Sequence, residues 1–417
     1  MTMAICTSTA VEPLTLESAS RHIYDTALTD SAIGAVGLEI ETHVVDLIMV
    51  CERPAWATLR QGLDAAAAQL SSSAVTVEPG GQVELSGVPA RDVAAAVAAM
   101  RYDEQRLRLV LAEHGLGLAH VGADPLRPSR RINPGPRYRA MERHFICTGR
   151  AEAGATMMCS TAALQLNLQA GPSAGWARRV ALAHQLGPTL SAIAANSRWL
   201  TGRDTGWASA RQRAWSGLDP RTSGAVAASG DPAQDWVRYA LDAPVLFATT
   251  ADGDTMAVAK AVPFSAWVSG RVRLADRRPT LDDLRTHLSA LFPPVRLRGY
   301  LELRYLDVSA PRWWPAIAAV AATLLDDPVA AAAAAEATEP TAGLWTAAAR
   351  AGLADPALAA SARRCLAIAL ERAPAPLRTA VMDLAELVES GRSPGDLASE
   401  RIAEIGVESY LGEVSHA

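Results

Sequence analysis

Four short segments of this sequence alternate between apolar residues and residues that mostly carry carboxylate or amide side chains. They read VGLEIET at 36–42, QVELS at 82–86, LQLNLQ at 164–169 and YLELRY at 300–305. Alternation of this kind predicts β-strands, because successive side chains of a strand point to opposite faces of the sheet. Each segment therefore predicts a strand with one apolar face and one polar face.

The polar faces of these segments collect acids and amides together with a single arginine. Their side chains are those of Glu39 and Glu41, Glu84, Gln165 and Asn167, and Glu302 with Arg304. Like charges on one face repel unless cations lie between them, and Mg²⁺ prefers carboxylate oxygens together with substrate phosphates. A solvated face of an antiparallel sheet alternates in the same way, so this pattern leaves a metal site and a solvated face as alternatives.

Two adjacent glycines precede the acidic strand, within the sequence EPGGQ at 78–82. Glycines let a backbone approach a ligand closely and present amide groups to anions, although a tight hairpin needs the same residues. The sequence contains neither GxxxxGK[ST] nor a strand–GxGxxG–helix unit. A bound nucleotide would therefore be held by another architecture.

The remaining patterns predict an α+β chain. Helical periods cover 91–114 and 176–196, and from Trp314 onward the chain is almost entirely helical and rich in alanine. Strands cluster in the first three quarters of the chain without regular βαβ alternation, so we expect a largely antiparallel sheet. We expect one domain over residues 1–417, with a helical C-terminal part at 314–417.

Three segments carry more specific expectations. Residues 296–306 are predicted as one strand, whereas residues 197–230 lack a clear period and are predicted as long loops. The first 15 residues or so are expected to be frayed.

Composition argues against several classes of protein. With 39 basic and 44 acidic residues, the chain lacks the positive charge of a nucleic-acid-binding protein. Its five scattered cysteines form no CxxC pair, which argues against a disulfide framework and a zinc cluster. The sequence shows no run of about 18 uncharged apolar residues and no signal peptide, so we expect a cytoplasmic protein without a membrane partner.

Six segments resemble those of one protein family and occur in the family's order. They are GLEIE at 37–41, EPGGQVELSG at 78–87, RYRAM at 137–141, LQLNLQ at 164–169, RQRAWSGLDPRTSG at 211–224 and FPPVRLRGYLELR at 292–304. The family is that of the plant-type glutamate–cysteine ligases and their bacterial relatives. Within it, the chain looks similar to the actinobacterial members that supply γ-glutamylcysteine for ergothioneine synthesis. The matching catalytic motifs lie within residues 35–306.

The resemblance implies a glutamine-synthetase-like fold, in which a curved, largely antiparallel sheet forms a funnel closed by helices. It also implies an ATP-dependent enzyme that uses two or three Mg²⁺ ions. Such an enzyme activates the γ-carboxylate of L-glutamate as γ-glutamyl phosphate, which the amine of L-cysteine then attacks.

Roles for individual residues follow from the resemblance, position by position. It implies metal ligands at Glu39, Glu41, Glu84 and Glu302. It implies catalytic residues at Glu39, Glu41, Glu84 and Arg304. It implies substrate-binding residues at Tyr138, Met141, Gln165, Asn167, Arg213, Trp215 and Arg221. The loop arginines would bind carboxylate or phosphate groups, because a guanidinium fork matches the geometry of both.

Two alternatives stay open at this point. The same funnel could serve a carboxylate–amine ligase with a different amine acceptor, because the sequence identifies the residues of the acceptor pocket less clearly than those of the acidic face. The chain could also be a catalytically inactive, nucleotide-binding regulatory relative. The retention of all four glutamates argues against that second alternative.

Overall fold

The computed structural model describes residues 14–416, so the predicted frayed start lies almost entirely outside the described residues. In chain order the strands are β1 (Val36–Asp46), β2 (Ser73–Val77), β3 (Val83–Gly87), β4 (Leu116–Ala119), β5 (Ala163–Gln169), β6 (Trp199–Leu200), β7 (Arg203–Asp204), β8 (Phe247–Thr249), β9 (Thr255–Ala257), β10 (Val295–Leu297) and β11 (Tyr300–Asp307).

The α-helices, again in chain order, are α1 (Leu16–Ala27), α2 (Trp56–Ala67), α3 (Val93–Glu113), α4 (Pro136–Cys147), α5 (Ala151–Ser160), α6 (Trp176–Ile193), α7 (Ala210–Ser216), α8 (Pro220–Ser223), α9 (Pro232–Asp242), α10 (Phe264–Val268), α11 (Leu281–Leu288), α12 (Trp314–Asp326), α13 (Pro328–Thr338), α14 (Trp345–Ala351), α15 (Pro356–Arg372), α16 (Arg378–Glu389), α17 (Pro394–Ile405) and α18 (Val407–His416).

One antiparallel sheet of seven strands organises the fold. Its strands run in the order β10-β11-β5-β1-β3-β2, and β4 pairs with the last four residues of β1. The sheet is open, because it begins at β10 and ends at β2. The predicted α+β class with a largely antiparallel sheet is confirmed.

The register of this sheet brings the four alternating segments side by side. Glu41 on β1 lies opposite Glu84 on β3, and Glu39 lies opposite Gln165 on β5. On β11, Glu302 lies opposite an amide residue of β5. Residues that lie opposite each other in neighbouring strands project from the same face. The acidic and amide side chains therefore share one face of the sheet.

The opposite face of the sheet belongs to the hydrophobic core. Its aliphatic side chains are almost fully buried, and they are those of Leu38, Ile40, Leu85, Leu164, Leu166, Leu168, Leu301 and Leu303. Helices α3, α6 and α12 pack against these strands. Burying each such side chain contributes about 1.5–3 kcal/mol, so a one-residue slip in register, which would expose this face, is strongly disfavoured.

Helix α12 forms the inner layer of the helical C-terminal part. Every residue from Trp314 to Leu325 is buried, because α3 and α6 pack on this helix together with α13, α15 and α16. The predicted helical C-terminal part is confirmed. Within residues 14–416, no single helix is long and apolar enough to span a membrane, and α12 with α13 passes that test only as a pair bent by 100°.

Two segments differ from the sequence-based predictions. Residues 296–306 are not one strand, because the chain reverses between β10 and β11 at Arg298 and Gly299. Gly299 has φ = +81°, a left-handed conformation that glycine adopts without a Cβ clash. The apolar–polar alternation continues through this turn, so it conceals the hairpin. Residues 197–230 are not only loops, since they contain β6, β7, α7 and α8.

A β-bulge in β11 redirects side chains beside the acidic face. Between Leu303 and Leu306, β11 carries one residue more than the paired segment of β5. An extra residue of this kind re-aims its neighbours. Arg304 lies on the polar face, as its alternation with Glu302 predicts, whereas Tyr305 is buried and donates to the carbonyl of Ala183 on α6 at 3.1 Å.

Asp103 on α3 fixes the turn that leads into β2. Its carboxylate accepts hydrogen bonds from the backbone N–H and hydroxyl groups of both Ser71 and Ser72, at 2.8–2.9 Å. Burial opposes ionisation, but these hydrogen bonds outweigh it and hold the pKa of Asp103 at about 2.

We predict that Asp103→Ala lowers the free energy of unfolding by about 2–4 kcal/mol at pH 7, because four donors lose their acceptor. The folded-state pKa lies below the ordinary value of 3.8, so this contribution is complete above pH 4 and is lost as the pH falls to about 2. Urea unfolding at pH 7 and pH 2.5 measures both effects. A difference between variant and wild type that is equal at the two pH values would contradict the role of the ionised carboxylate.

Candidate active site

A cavity of about 410 Å³ opens on the polar face of the sheet. Strands β1, β3, β5, β10 and β11 contribute to its walls, together with the turn before β3 and helices α4, α5 and α7. The predicted site residues that line it are Glu39, Glu41, Glu84, Arg304, Tyr138, Met141, Gln165 and Trp215. The fold therefore brings eight predicted site residues from six elements to one place.

Glu39, Glu41 and Glu84 form an acidic wall of this cavity. Glu41 and Glu84 lie directly opposite each other on neighbouring strands, a position in which like charges repel. Burial raises the pKa of all three carboxyl groups. Neighbouring charge raises the pKa further, from Glu84 on Glu39 and from Glu41 on Glu84. A cation in the cavity would relieve this repulsion.

Amide groups on β5 orient the carboxylates of the acidic wall. Asn167, which does not itself line the cavity, donates to Glu39 at 2.8 Å. Gln165 donates to one oxygen of Glu41 at 3.0 Å, and the backbone N–H of Ala163 donates to the other at 2.8 Å. A carboxylate oxygen has two lone pairs, so each glutamate keeps acceptor capacity for a ligand in the cavity.

Glu302 lies behind the acidic wall and is fully buried. Arg296 on β10 donates to both of its carboxylate oxygens, at 2.5 and 2.7 Å, and Arg304 contacts one of them as well. Burial opposes ionisation, but Arg304 and Arg296 hold the pKa of Glu302 at about 2. The prediction that Glu302 presents its carboxylate to a metal ion does not fit this arrangement, because Glu302 is fully buried and does not line the cavity.

Four arginines line the cavity, namely Arg137, Arg296, Arg298 and Arg304. Only Arg304 is predicted from the sequence. Arg296 and Arg298 belong to the segment that the sequence predicts as one continuous strand. In the structure the chain turns at Gly299, so Arg296 lies on β10 and not on β11. Arg137 donates to the hydroxyl and carbonyl oxygens of Ser289, at 2.8 and 3.0 Å. The cavity therefore has positive as well as negative walls.

Glu78 is a further carboxylate of the cavity, and the alternating pattern of the sequence does not predict it. It precedes the turn at Gly80 and lies outside the alternating stretch, so alternation gives no signal for it. Burial raises its pKa to about 8, and the charges of Glu84 and Glu41 add to that effect. The EPGGQ motif, in which Glu78 is the first residue, is the signal that could have identified it.

Sulfur-containing and aromatic side chains form one contiguous part of the wall. They are Met141, Met157, Met158, Tyr138, Trp215 and Phe292. The rings of Trp215 and Phe292 meet edge to face, with centroids 5.5 Å apart. Burial, followed by the charge of Glu78, raises the pKa of Tyr138, so its hydroxyl stays protonated at neutral pH. This sulfur–aromatic patch suits a weakly hydrated group of a ligand.

The structure does not bring Arg213 and Arg221 to the cavity, contrary to the prediction for them. Arg213 is exposed, and its guanidinium carbon lies 5.6 Å from the centre of the Trp207 ring. Arg221 forms an ion pair with Asp219 at 2.8 Å and does not line the cavity. The prediction assumes a loop, but residues 210–216 are helical, so Arg213 points away from the face that meets the cavity.

Arg211 is the arginine of this helix that meets the site. It is buried, and it donates to the carbonyl of Arg304 at 2.6 Å. Burial raises the pKa of Glu41, and the positive charge of Arg211 lowers it in part. Residues four apart lie on the same face of a helix, so a prediction of residues 210–216 as a helix would have placed Arg211 beside Trp215.

The donor set of the acidic wall fits a hard divalent cation. Carboxylate oxygens are preferred ligands of Mg²⁺, and burial together with neighbouring carboxylates raises the pKa of these groups, an effect that a bound cation would oppose. Within residues 14–416, no group of three or more His, Cys, Asp or Glu side chains is arranged to hold a metal ion by itself. A cation at this wall would therefore complete its coordination with oxygens of substrate or water.

A second cavity, of about 400 Å³, lies on the other side of β10. Val295 and Leu297 of that strand face it, and most of its other lining residues are apolar as well. Such a surface offers little stabilisation of charge. This second cavity therefore suits anionic substrates less well than the cavity on the polar face of the sheet.

Comparison with protein families gives a match over almost the whole described chain. The model of glutamate-cysteine ligase family 2 (GCS2) matches residues 35–414. The chain is 49% identical over 409 residues to the glutamate–cysteine ligase EgtA of Mycobacterium tuberculosis, covering 97% of this chain and 95% of that protein. It is 28% identical over 318 residues to the chloroplastic glutamate–cysteine ligase of Arabidopsis thaliana, covering 72% of this chain and 60% of the plant protein.

Solved structures share the fold at low sequence identity. A glutamate–cysteine ligase from Francisella tularensis in complex with AMP superposes with a TM-score of 0.58 at 12% identity, covering 93% of this chain and 88% of that one. A bifunctional glutathione synthetase from Pasteurella multocida gives 0.53 at 13% identity, covering 96% and 53% respectively. These values agree with the glutamine-synthetase-like fold that the sequence implies.

We predict that Glu84→Gln raises the melting temperature of the metal-free protein, and more so at pH 8 than at pH 5. The folded-state pKa of Glu84 is raised above its ordinary 4.5, and that of Glu78 reaches about 8. The folded state binds more protons than the unfolded state in this window, so the stability of the wild-type site falls as the pH rises through it. The amide removes one of the repelling charges.

Differential scanning fluorimetry in EDTA measures this effect. Glu142→Gln is the control, because Glu142 pairs with Arg131 at 3.0 Å and does not line the cavity. A Glu84→Gln gain that is the same at both pH values would contradict carboxylate repulsion as its cause.

Proposed function

We infer the activity from one premise: the chain belongs to glutamate–cysteine ligase family 2. We propose that it joins the γ-carboxylate of L-glutamate to the amine of L-cysteine, with ATP as the phosphoryl donor. The products are γ-glutamylcysteine, ADP and phosphate. The EgtA proteins of two mycobacterial species are similar to this chain over nearly their whole length, which supports this substrate pair. We assign the product to ergothioneine biosynthesis and the enzyme to the cytoplasm.

The observation that carries this proposal is the pairing of acidic and basic walls in one cavity. A carboxylate does not react with an amine at neutral pH, because oxide and hydroxide are poor leaving groups. Transfer of a phosphoryl group to the carboxylate supplies a good one, but it gathers several negative oxygens in a small space. Arginines and cation-binding carboxylates lining the same cavity are the groups that such a transfer needs.

The reaction has two balanced steps. A γ-carboxylate oxygen of glutamate attacks the γ-phosphorus of ATP, and the bond to the bridging oxygen breaks to release ADP. The nitrogen of cysteine then attacks the acyl carbon of γ-glutamyl phosphate, phosphate leaves, and the nitrogen loses a proton. Arg304 faces the cavity and is held by Glu302 and Gln165, so it is positioned to stabilise charge on the phosphoryl group.

Glu39, Glu41 and Glu84 are the residues that would hold Mg²⁺. When bound there, the metal would supply positive charge that offsets the charge of the triphosphate. Together with Glu78, these carboxylates supply enough oxygens for the two or three ions that we propose, provided that phosphates and water complete the coordination. Glu302 serves a different role, in which it fixes Arg296 and Arg304.

We assign the sulfur–aromatic patch to the thiol of cysteine. A thiol is polarisable and weakly hydrated, so it loses little when it packs against Met157, Met158 and Phe292. The hydroxyl of serine would lose its hydrogen bonds to water at the same place. Tyr138 and Met141, predicted as substrate-binding residues, belong to this patch.

The competing proposals are a ligase for another amine and an inactive regulatory relative. The sulfur–aromatic patch favours a thiol-bearing acceptor over most other small amines. The retention of Glu39, Glu41, Glu84 and Arg304 in one cavity favours an active enzyme over an inactive one.

We predict that the purified protein, given ATP, Mg²⁺, glutamate and cysteine, forms γ-glutamylcysteine and ADP. Without cysteine, it should slowly release ADP and 5-oxoproline, because the α-amine of γ-glutamyl phosphate can close a five-membered ring on its own acyl carbon. Mass spectrometry of both mixtures makes the measurement. A ligase for another acid would consume no ATP with glutamate, and a failure to form γ-glutamylcysteine from the complete mixture would rule out the assignment.

Arginine substitutions inside and outside the cavity should differ sharply. We predict that Arg304→Lys lowers kcat by about a hundredfold or more, since a point-charge ammonium does not reproduce the planar guanidinium, whose Nη1 contacts Glu302 and Gln165 and whose other donors stay available to a ligand. Arg213→Lys should stay within a few-fold of wild type, because Arg213 is exposed and does not line the cavity. Steady-state kinetics with glutamate as the varied substrate distinguishes the two. An equal loss in both variants would contradict this assignment of the arginines.

A further inference from the structure

A buried arginine, Arg53, donates a hydrogen bond to the turn that precedes β3. Arg53 precedes α2, and its side chain is only 4% exposed. Its Nη1 donates to the carbonyl of Gly80 at 2.9 Å, in the turn between Glu78 and β3. We propose that Arg53 positions the carboxylates on either side of this turn for the metal ions, an inference that rests on the proposed function.

The Gly80 carbonyl depends on this arginine. The neighbouring carbonyl of Pro79 accepts from the backbone N–H groups of Ile132 and Asn133, at 2.9 and 3.0 Å. Among residues 14–416, Arg53 is the group that donates to Gly80. Gly80 is buried, so the loss of Arg53 would leave an unsatisfied carbonyl in the turn.

Close packing leaves this turn little freedom to find another arrangement. A Cβ atom at Gly80 would lie 2.2 Å from the carbonyl oxygen of Cys159, so the two backbones are in direct contact. On the far side of the turn, Gln82 donates to the carbonyl of Thr161 at 2.8 Å. The backbone from Gly80 to Gln82 is thus held against the end of α5, and the direction of the Gly80 carbonyl is set by its bond to Arg53.

Arg53 holds this position through a planar set of contacts. Its guanidinium also donates to the carbonyl of Pro128 at 3.1 Å and to the hydroxyl of Ser160 at 3.2 Å, and it lies 3.3 Å from the carboxylate of Asp124. A guanidinium has five N–H donors in fixed directions, so it can satisfy these groups and Gly80 together. A lysine ammonium at this position cannot reproduce that arrangement.

The path from Arg53 to the cavity is short. Glu78 lies two residues before Gly80 and Glu84 four residues after it, and both line the cavity. Arg53 does not line the cavity, so it acts through the turn as a positioning residue. Replacing a group that orients a metal ligand typically weakens metal binding by about 10–100-fold.

Binding of Mn²⁺ to the full-length protein, followed by the EPR signal of the free ion, tests this proposal without turnover. We expect Arg53→Lys to weaken Mn²⁺ binding by about tenfold or more. It should also raise the Mg²⁺ concentration needed for half-maximal ADP release, while the KM for cysteine changes little. Glu84→Gln gives the reference for the loss of one ligand.

Arg179→Lys is the matched control. Arg179 is similarly buried, and it donates to the carbonyls of Gln169 and Leu325 and to the carboxylate of Asp326. Its replacement should lower the melting temperature but leave Mn²⁺ affinity unchanged. Equal Mn²⁺ affinity in Arg53→Lys and wild type would overturn the proposal, and so would an equal loss of affinity in Arg179→Lys.

A second variant decides the matter if Arg53→Lys does not fold. Ser160→Ala removes one partner of the guanidinium and leaves Arg53 in place, so it should weaken Mn²⁺ binding in the same direction by a smaller factor. Unchanged affinity in Ser160→Ala would then overturn the proposal. A wild-type protein that binds no Mn²⁺ would refute the proposed metal site itself, and the role of Arg53 with it.

Discussion

Negative charge gathered on one buried face of an antiparallel sheet is the constraint on which the rest of this structure depends. Glu41 and Glu84 face each other across β1 and β3, where burial raises the pKa of both carboxyl groups and the charge of Glu41 raises that of Glu84 further. The amide of Gln165 on β5 donates a hydrogen bond to Glu41, and the positive charge of Arg304 on β11 stabilises the ionised form of both carboxylates. The cavity in front of the wall leaves room for cations and anionic substrates together. The polarity of the site therefore follows from the pairing of these strands.

The same strands withstand this repulsion because their other face is buried in the core. Leucine and isoleucine side chains on that face pack against α3, α6 and α12, and α12 is itself enclosed by the C-terminal helices. Aliphatic burial across several strands outweighs the few kcal/mol that a cluster of unbalanced carboxylates costs. The helical C-terminal part, which contributes no residue to the lining of the cavity, serves the site by holding the sheet.

Buried arginines provide a second level of organisation, because they bond to backbone carbonyl groups near the site. Arg53 donates to Gly80, Arg211 donates to Arg304, and Arg127 donates to Val44 on β1 at 2.7 Å. Each guanidinium spans two or more chain segments, since its donors point in several fixed directions. Turns and strand ends near the cavity are thus fixed by side chains as well as by the sheet. A site built for charged substrates needs this rigidity, because small displacements of its groups weaken electrostatic stabilisation.

The sequence by itself determined the strands, their polar faces and the residues that share them, because a period of two is local and survives in any antiparallel fold. Glu39 and Glu41 could be placed on one face of their strand on that basis alone. Only the tertiary structure decided which charged groups face the cavity and which neutralise each other. Glu302 pairs with Arg296 because the chain reverses at Gly299, and Arg213 points outward because residues 210–216 form a helix. The apolar–polar alternation continues through the turn at Gly299, so it gives no sign of the reversal. The helix at residues 210–216 lies where the sequence shows no clear period. Ion pairing and burial depend on contacts between segments far apart in the chain, which no local pattern encodes.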